Sequence, residues 1–306
     1  MSAFNWGLLI LLSLLWGGSF FFTGVAVGEM PVLSIVFSRV FLAALTLFVI
    51  LWVKKVEIKV SGGILIAFFF MGLTNNLIPF SLIVFGQTMI DSGLSSVLNA
   101  TTPLFSALIG HFTTSDPGER LGPRRVAGIL VGITGVGILL APSISDLGFS
   151  GDDVTGQLSI LGAAFSYGIG AVFGRKFGKA GIPPLLAATG QVTATSIMML
   201  PLVLYIDQPW QFIGDLSAYV VISIIALAVI STGFAYIIYF HLISSAGATN
   251  ASLVTLLIPV SAILLGVLFL NEQVSVQMLA GMFVIGCSLL VIDGRLKFPK
   301  KLKSPV

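Results

Sequence analysis

Hydrophobic and polar positions follow one another in long blocks along the 306-residue chain, not in strict alternation. The apolar runs are about 20 residues long, which is the length a helix needs to cross a bilayer core of about 30 Å. A transmembrane β-barrel would require alternating polarity along each strand. Because backbone groups in lipid must be hydrogen-bonded internally, the runs are predicted to be helices. The pattern predicts ten spans, with the bounds 4–25, 31–53, 63–86, 92–113, 124–142, 156–177, 183–205, 217–241, 249–270 and 275–293.

Composition supports a membrane protein. The chain is 57% hydrophobic and 9% charged, with a mean hydropathy of +1.08, whereas soluble domains carry about 25% charged residues. No Lys or Arg precedes the first apolar run in MSAFNW, so that run is interpreted as a retained helix and not as a secretory signal.

An internal duplication organises these spans. The segment ASLVTLLIPVSAILLGVLFL at 251–270 repeats features of SSVLNATTPLFSALIG at 95–110. The prolines and the following glycines of the two copies are 156 residues apart, which pairs Pro103 with Pro259 and Gly110 with Gly266. Duplication at a fixed spacing indicates a repeat architecture.

Five spans per copy is an odd number, so the second copy enters the membrane in the opposite sense. The predicted fold is therefore an all-α membrane protein with ten transmembrane helices as an inverted five-plus-five repeat, an arrangement found in many secondary transporters. We expect a first repeat at 1–145, a second at 146–294 and a basic tail at 295–306.

The two copies also carry a family signature. A mid-helix proline is followed seven residues later by glycine, then by a turn glutamate (Glu119 or Glu272) and, nine residues after it, by another glycine. With LLWGGSFFFTGVAV at 14–27 and ILGAAFSYGIGAVFGRKF at 160–177, this order resembles the EamA family of the drug/metabolite transporter superfamily, over about 5–293.

The resemblance implies a secondary transporter that moves a small metabolite by alternating access, and the expected function is export of an amino acid or related polar solute. It also places spans 1–4 and 6–9 around the pathway and spans 5 and 10 to the side. We expect the two turn glutamates to help begin spans 5 and 10.

Basic residues predict the orientation. Of the 15 Lys and Arg, 14 lie in the loops after spans 2, 4 and 6 and in the tail, which share one side if there are ten spans. Positive charge stays cytoplasmic, so both termini are predicted inside a bacterial inner (plasma) membrane. The basic tail is then interpreted as an anchor at anionic lipid, not as a site for nucleic acid.

Prolines inside spans mark the predicted pocket and its hinges. Each proline frees the carbonyl four residues earlier, and Pro79, Pro103 and Pro259 all free the carbonyl of a polar residue. Irregular polar backbone at membrane depth is tolerated where it lines a cavity. The alternative is that the kinks only help the helices pack. The polar residues of this predicted substrate pocket are Asn75, Asn76, Asn99, Thr232 and Thr255.

Arg39 is the basic residue inside a span, and an intramembrane charge is a functional hypothesis by default. It is predicted to contact a substrate carboxylate or phosphate, with snorkelling or an ion pair to Glu29 or Asp91 as the alternative. Three aromatic residues complete the predicted substrate site, Trp16, Tyr167 and Tyr236, because a buried indole or phenol needs a polar partner. Ordinary packing is the alternative for these three.

Several functions and ligands are disfavoured by what the spans lack. The GxGxxG-like spacings lie inside apolar runs and no His/Cys cluster suggests a metal, so neither a cofactor nor a metal is expected. An exchanger of phosphorylated or nucleotide-linked solutes remains the second hypothesis. An intramembrane enzyme lacks a base at depth, and a scaffold needs no polar pocket. Gly128 and Gly132 form a GxxxG motif that predicts close helix packing and leaves monomer or dimer open.

Overall fold

The computed structural model describes residues 1–113, 120–147 and 151–294. Throughout these residues the regular secondary structure is helical. The predicted basic tail, 295–306, and the turn residue Glu119 lie outside the described residues.

The α-helices of the described chain are, in order, α1 (Ala3–Ala26), α2 (Val32–Val53), α3 (Gly62–Gly72), α4 (Ile78–Gln87), α5 (Ser92–Asn99), α6 (Thr102–Thr113), α7 (Pro123–Leu147), α8 (Asp152–Lys179), α9 (Pro184–Leu202), α10 (Ala218–Ile225), α11 (Ala235–Ala246), α12 (Ala248–Ala251), α13 (Val254–Phe269) and α14 (Val276–Ile292). Helices α1, α2, α7, α8 and α14 each form one span. The remaining spans are interrupted helices, namely α3–α4, α5–α6, α9 with its π-helical end, α10–α11 and α12–α13.

These elements confirm the predicted ten-span fold. In the described part of the chain, seven helical stretches, counted with their π-helical segments, are long and apolar enough to cross a membrane, and α13 and α14 are shorter apolar helices. The fourth span is divided into α5 and α6, so neither half is long by itself. The apolar stretch of span 5 runs from Pro123 to Ile144, close to the predicted 124–142, and α7 continues past Pro142 to Leu147. Near the end of a helix a proline removes only one backbone hydrogen bond.

Spans 3 and 8 both depart from α-helical geometry near their centres. A π-helix at Leu73–Leu77 joins α3 to α4, and a longer one at Ala226–Phe234 joins α10 to α11. With the 156-residue spacing of the duplication, Asn75 and Asn76 correspond to Ser231 and Thr232, so the two π-helices occupy equivalent places. This equivalence agrees with the repeat architecture.

Spans 5 and 10 pack against each other through small residues. The Ser288 hydroxyl donates a hydrogen bond of 2.7 Å to the carbonyl oxygen of Gly128. A Cβ atom at Gly132 would lie only 2.8 Å from Ser288 Oγ, and one at Gly135 only 3.1 Å from the Ile285 nitrogen. The predicted GxxxG motif therefore serves contact between helices of one chain.

The turn before span 10 differs from the prediction. Ser275, not Glu272, is the N-cap of α14, and its hydroxyl accepts a hydrogen bond of 3.0 Å from the Met278 nitrogen. The Glu272 carboxylate instead reaches the start of α5 in the first repeat, 2.8 Å from the Ser92 nitrogen. Three residues after Glu272, a serine is the better N-cap because its short side chain can bond the orphan amides of the first turn.

Candidate substrate site

The two π-helices place polar side chains where spans of opposite repeats meet. π-Helical segments are rare and are frequent at functional sites. In span 3 the cause is local, because Pro79 has no N–H to bond the carbonyl of Asn75. In span 8 the equivalent position is Ala235, so no proline explains the π-helix there.

Arg39 lies deep between the repeats, with 8% of its surface exposed. Its Nε atom donates a hydrogen bond of 3.2 Å to Thr232 Oγ1, and that hydroxyl donates in turn to the Leu227 carbonyl oxygen at 2.9 Å. The guanidinium carbon is 3.8 Å from the ring centre of Phe80, which is within the range of a cation–π contact. Thr232 and Phe80 together fix the base of the guanidinium group.

The two terminal Nη groups of the Arg39 guanidinium have no hydrogen-bond partner within the described chain. Neither Nη atom donates a hydrogen bond to a described residue, and Arg39 forms no ion pair with a described carboxylate. Glu29, one of the predicted alternatives, binds the Ser217 nitrogen. The Arg39 side chain is therefore buried and does not extend to the membrane surface. No described carboxylate balances its charge.

Aromatic residues of spans 3, 6 and 8, namely Phe80, Tyr167 and Tyr236, belong to one packed cluster, and Phe80 is the ring beside this cation. The rings of Tyr167 and Phe80 pack edge to face with their centres 6.3 Å apart. The rings of Tyr236 and Phe240 are stacked with their centres 5.8 Å apart. Trp16 contacts Tyr239 at 5.1 Å. Tyr167, Tyr236 and Tyr239 are half-buried, and none of their hydroxyls has a hydrogen-bond partner among the described residues. These hydroxyls are available to a polar solute.

The asparagine pair of span 3 faces span 7. Asn75 Nδ2 donates to Gln191 Oε1 at 3.1 Å, and Asn76 Nδ2 donates to Thr195 Oγ1 at 3.3 Å. The carbonyl oxygen of the Asn76 side chain is fully buried and has no partner. Ser231, the repeat equivalent of Asn75, has an equally unpartnered hydroxyl. Most buried polar groups are hydrogen-bonded, so these atoms mark a place where a water or a ligand is expected.

Two of the predicted pocket residues lie farther along the spans. Asn99 ends α5, and the carbonyl that Pro103 frees accepts a hydrogen bond of 2.8 Å from the Thr102 hydroxyl. The side-chain oxygen of Asn99 is buried and has no hydrogen-bond partner. Thr255 lines a separate cavity of about 20 Å³ with Pro259 and residues of α14. The described contacts do not bring Thr255 together with Arg39.

The three predicted hinge prolines occupy different positions in their helices. Pro79 lies in the first turn of α4 and Pro103 in the first turn of α6, so each follows an interruption. Pro259 lies inside α13, and the interruption of span 9 falls earlier, between α12 and α13.

Three residues that contact predicted pocket residues were not among those predicted from the sequence: Gln191, Thr195 and Tyr239. Gln191 occupies the repeat position of Arg39, because each lies eight residues after a proline. Tyr239 lies three residues after Tyr236 and therefore on a neighbouring face of the same helix. These spacings in the sequence point to Gln191 and Tyr239. No spacing or motif in the sequence points to Thr195.

The arrangement suits binding of a small solute with one anionic group. It offers one buried cation, aromatic rings packed near it, and neutral amide and hydroxyl groups. No group of three or more His, Cys, Asp or Glu residues that could hold a metal occurs in the described part of the chain.

Comparison with known proteins gives the family. The model of the EamA-like transporter family matches residues 5–141 and 154–293. The chain is 25% identical over 286 residues to "Uncharacterized transporter YoaV" of Bacillus subtilis, covering 92% of this chain and 94% of that protein. It is also 25% identical over 306 residues to the "Probable amino-acid metabolite efflux pump" of Escherichia coli, covering 97% of each.

A solved crystal structure shares the fold. Its TM-score is 0.66 at 18% sequence identity, and the match covers 95% of this chain and 98% of that one. The family match over both halves, the ten helical spans and the repeat-equivalent π-helices lead to one assignment. The chain belongs to the EamA-like transporter family and is a multi-pass integral membrane transporter, not an enzyme.

Proposed function

We propose that the protein exports an amino acid or a related polar solute by alternating access, and that Arg39 binds the carboxylate of that solute. The observation that carries the proposal is the buried guanidinium whose Nη atoms have no described protein partner. A charge removed from water is costly unless an opposite charge compensates it. The planar guanidinium forms two parallel hydrogen bonds with a carboxylate, which suits this role.

The amino-acid assignment has support from relatives as well. Proteins of Escherichia coli and Salmonella typhimurium that are similar to this chain over 93% or more of its length are named "Probable amino-acid metabolite efflux pump". Tyr167, Tyr236 and Tyr239 would supply hydroxyl groups and apolar ring surface for the rest of the solute.

A phosphorylated or nucleotide-linked solute remains the second candidate. It carries more negative charge and would favour a second cation in the site. The repeat equivalent of Arg39 is the neutral Gln191, whose Oε1 accepts from Asn75. Arg39, the one cation among the described residues proposed for the site, therefore favours a solute with one carboxylate.

We also propose the orientation and the repeat boundary. The basic loops after spans 2, 4 and 6 would face the cytoplasm of a bacterial inner membrane, with both termini inside. The repeats would be divided near residues 145 and 146. Helices interrupted at Pro79 and Pro103 would bend as one repeat moves against the other.

Counterflow in proteoliposomes tests the substrate proposal. Labelled amino acids, sugars and nucleotides are offered with and without a pH gradient, to the wild type and to Arg39→Gln and Arg39→Lys. We expect exchange of an amino acid, and loss of that exchange in both variants because lysine cannot reproduce the guanidinium fork. Lys176→Gln is the control, since it removes an exposed cation outside the site. Exchange of a phosphorylated solute alone, or an unaffected Arg39→Gln variant, would contradict the proposal.

A further inference from the structure

One loop face of the protein carries Glu29, Asp91, Asp207 and Glu272 and is here called the acidic face. The carboxylates of Glu29, Asp207 and Glu272 join the two repeats there. Asp207 Oδ2 accepts hydrogen bonds of 2.7 Å from the nitrogen and the hydroxyl of Ser34, in the first turn of α2. Glu29 and Glu272 likewise accept hydrogen bonds from backbone nitrogens at the starts of α10 and α5. Each contact crosses from one repeat to the other.

The Glu272 contact uses both carboxylate oxygens. Oε1 accepts from the Ser92 nitrogen at 2.8 Å, and Oε2 accepts from the Gly93 nitrogen at 3.0 Å. The first N–H groups of a helix have no partner within it. Asp91, the N-cap of α5, makes no side-chain capping bond. Glu272 therefore caps α5 from the other repeat, and its negative charge suits a helix N-terminus.

Gly266 of α13 leaves the space that the Glu272 carboxylate occupies. A Cβ atom at Gly266 would overlap that carboxylate and lie 3.2 Å from Ser92 Oγ. The Glu272 nitrogen also bonds the Gly266 carbonyl oxygen at 3.1 Å, while Asn271 adopts a left-handed conformation with a φ of 57°. This turn brings the Glu272 carboxylate back beside Gly266, which lies earlier in the same segment.

Helix α5 is packed tightly where Glu272 holds it. A Cβ atom at Gly93 would lie 3.1 Å from Ile263 of α13 and 3.2 Å from Met278 of α14. Opening the acidic face between the repeats would have to separate α5 from α13 and break both Glu272 hydrogen bonds together.

We infer that Glu272, Gly266, Ser92 and Gly93 form a latch that keeps the pathway closed at the acidic face. Glu272 and Gly266 are positioning residues of this latch and do not contact the solute. Two hydrogen bonds to a charged group disappear together on opening, so the closed arrangement is favoured as long as the carboxylate fits beside Gly266. The inference concerns a conformational equilibrium and does not depend on which solute is carried.

Spin labels on the two sides of the latch measure its state. The native Cys287, which is the one cysteine of the chain, is replaced by serine. Thr88→Cys and Gln273→Cys carry the labels, because both positions are exposed and lie beside the two halves of the latch. Double electron–electron resonance in nanodiscs then gives the distance distribution without added solute.

Glu272→Gln weakens the capping bonds, and Gly266→Ala displaces the carboxylate while leaving its charge. We expect each to raise the ratio of the long-distance to the short-distance population by about tenfold, the size of one hydrogen bond to a charged group. Asp215→Asn removes a charge from the acidic face without a capping contact among the described residues. Gly286→Ala adds a methyl group where no atom lies within 4 Å. Both controls should retain the wild-type distribution.

Two results would overturn the latch. One is an unchanged distribution in folded Glu272→Gln and Gly266→Ala proteins. The other is an equal shift in Asp215→Asn, which would show that the net charge of the face controls opening. Counterflow can fail for want of the right solute, but this distance measurement cannot, so the two proposals are tested separately.

Discussion

The Nε atom of Arg39 and Oγ1 of Thr232 are joined by a hydrogen bond across the boundary between the two repeats. A matching contact joins Gln191 to Asn75, from span 7 to the π-helix of span 3. Arg39 and Gln191 occupy equivalent positions, and so do the two π-helices. The repeats therefore contact each other twice in the same way, once through a cation and once through a neutral amide.

Thr232 is expected to position the Arg39 guanidinium. Thr232→Val keeps the shape of the side chain but removes the oxygen that accepts from Nε, so the guanidinium loses one of its two fixed contacts. We predict about a tenfold weaker apparent affinity for the carried solute in counterflow, the size of one hydrogen bond to a charged group. Thr232→Ser, which keeps the hydroxyl, should remain close to the wild type. Equal affinities in all three proteins would refute this role.

Asn99 and Tyr167 are expected to contribute to the pocket. Asn99→Ala removes a buried unpartnered oxygen, and Tyr167→Ala removes the ring that meets Phe80. Both should reduce solute flux without reducing the amount of protein inserted in the membrane, measured by quantitative immunoblot. Phe283→Ala is the control, because that ring is 71% exposed on α14. Wild-type flux in both pocket variants would remove these residues from the site.

Packing of spans 5 and 10 is predicted to depend on Gly132. Gly132→Ala would place a methyl group against Ser288 and Leu104, and overpacking of this kind costs about 1–3 kcal/mol. The melting temperature in detergent should therefore fall. Gly137→Ala, where no atom lies within 4 Å of the added carbon, should leave it unchanged or slightly higher. A lower melting temperature for Gly137→Ala than for Gly132→Ala would be inconsistent with the structure.

Asp91 is predicted to make stability depend on pH. Partial burial raises the pKa of its carboxyl above the ordinary value of 3.8, and the nearby carboxylates of Glu272 and Asp153 raise it further. The folded protein then holds this proton more tightly than the unfolded chain, so stability is lost as pH rises from 3.8 through the raised pKa.

The measurement for Asp91 is thermal unfolding across that pH range. Asp91→Asn cannot lose a proton and should melt at a higher temperature than the wild type at pH 7, with the difference shrinking as pH falls towards 4. Asparagine is also an acceptable N-cap for α5. A constant difference at every pH would show that ionisation of Asp91 is not the cause.

The proposed orientation predicts where the chain ends. A reporter fused after Val306 should be active in the cytoplasm, because the basic loops and the tail share one side. A second fusion in the loop after span 7, at Gly214, should report the opposite side. A tail found outside the cytoplasm would reverse the orientation of every span.

Much of the fold was predictable because lipid imposes simple rules. The spans follow from the length of apolar runs, and the predicted bounds of span 3, 63–86, differ from the observed Gly62–Gln87 by one residue at each end. The site was harder to predict. The π-helix of span 3 follows from Pro79, whereas the one in span 8 has no proline and no local cause in the sequence.

The sequence by itself determined the ten spans, their duplication and the isolated cation Arg39, because hydrophobic length, residue spacing and charge are local properties. Only the tertiary structure decided which groups meet across the repeats. Glu272 was expected to begin its own helix, yet it caps α5, about 180 residues earlier in the chain. Thr255 was expected beside the pocket, yet it faces α14. Such contacts depend on how helices of opposite repeats pack, and no local pattern of residues encodes that packing.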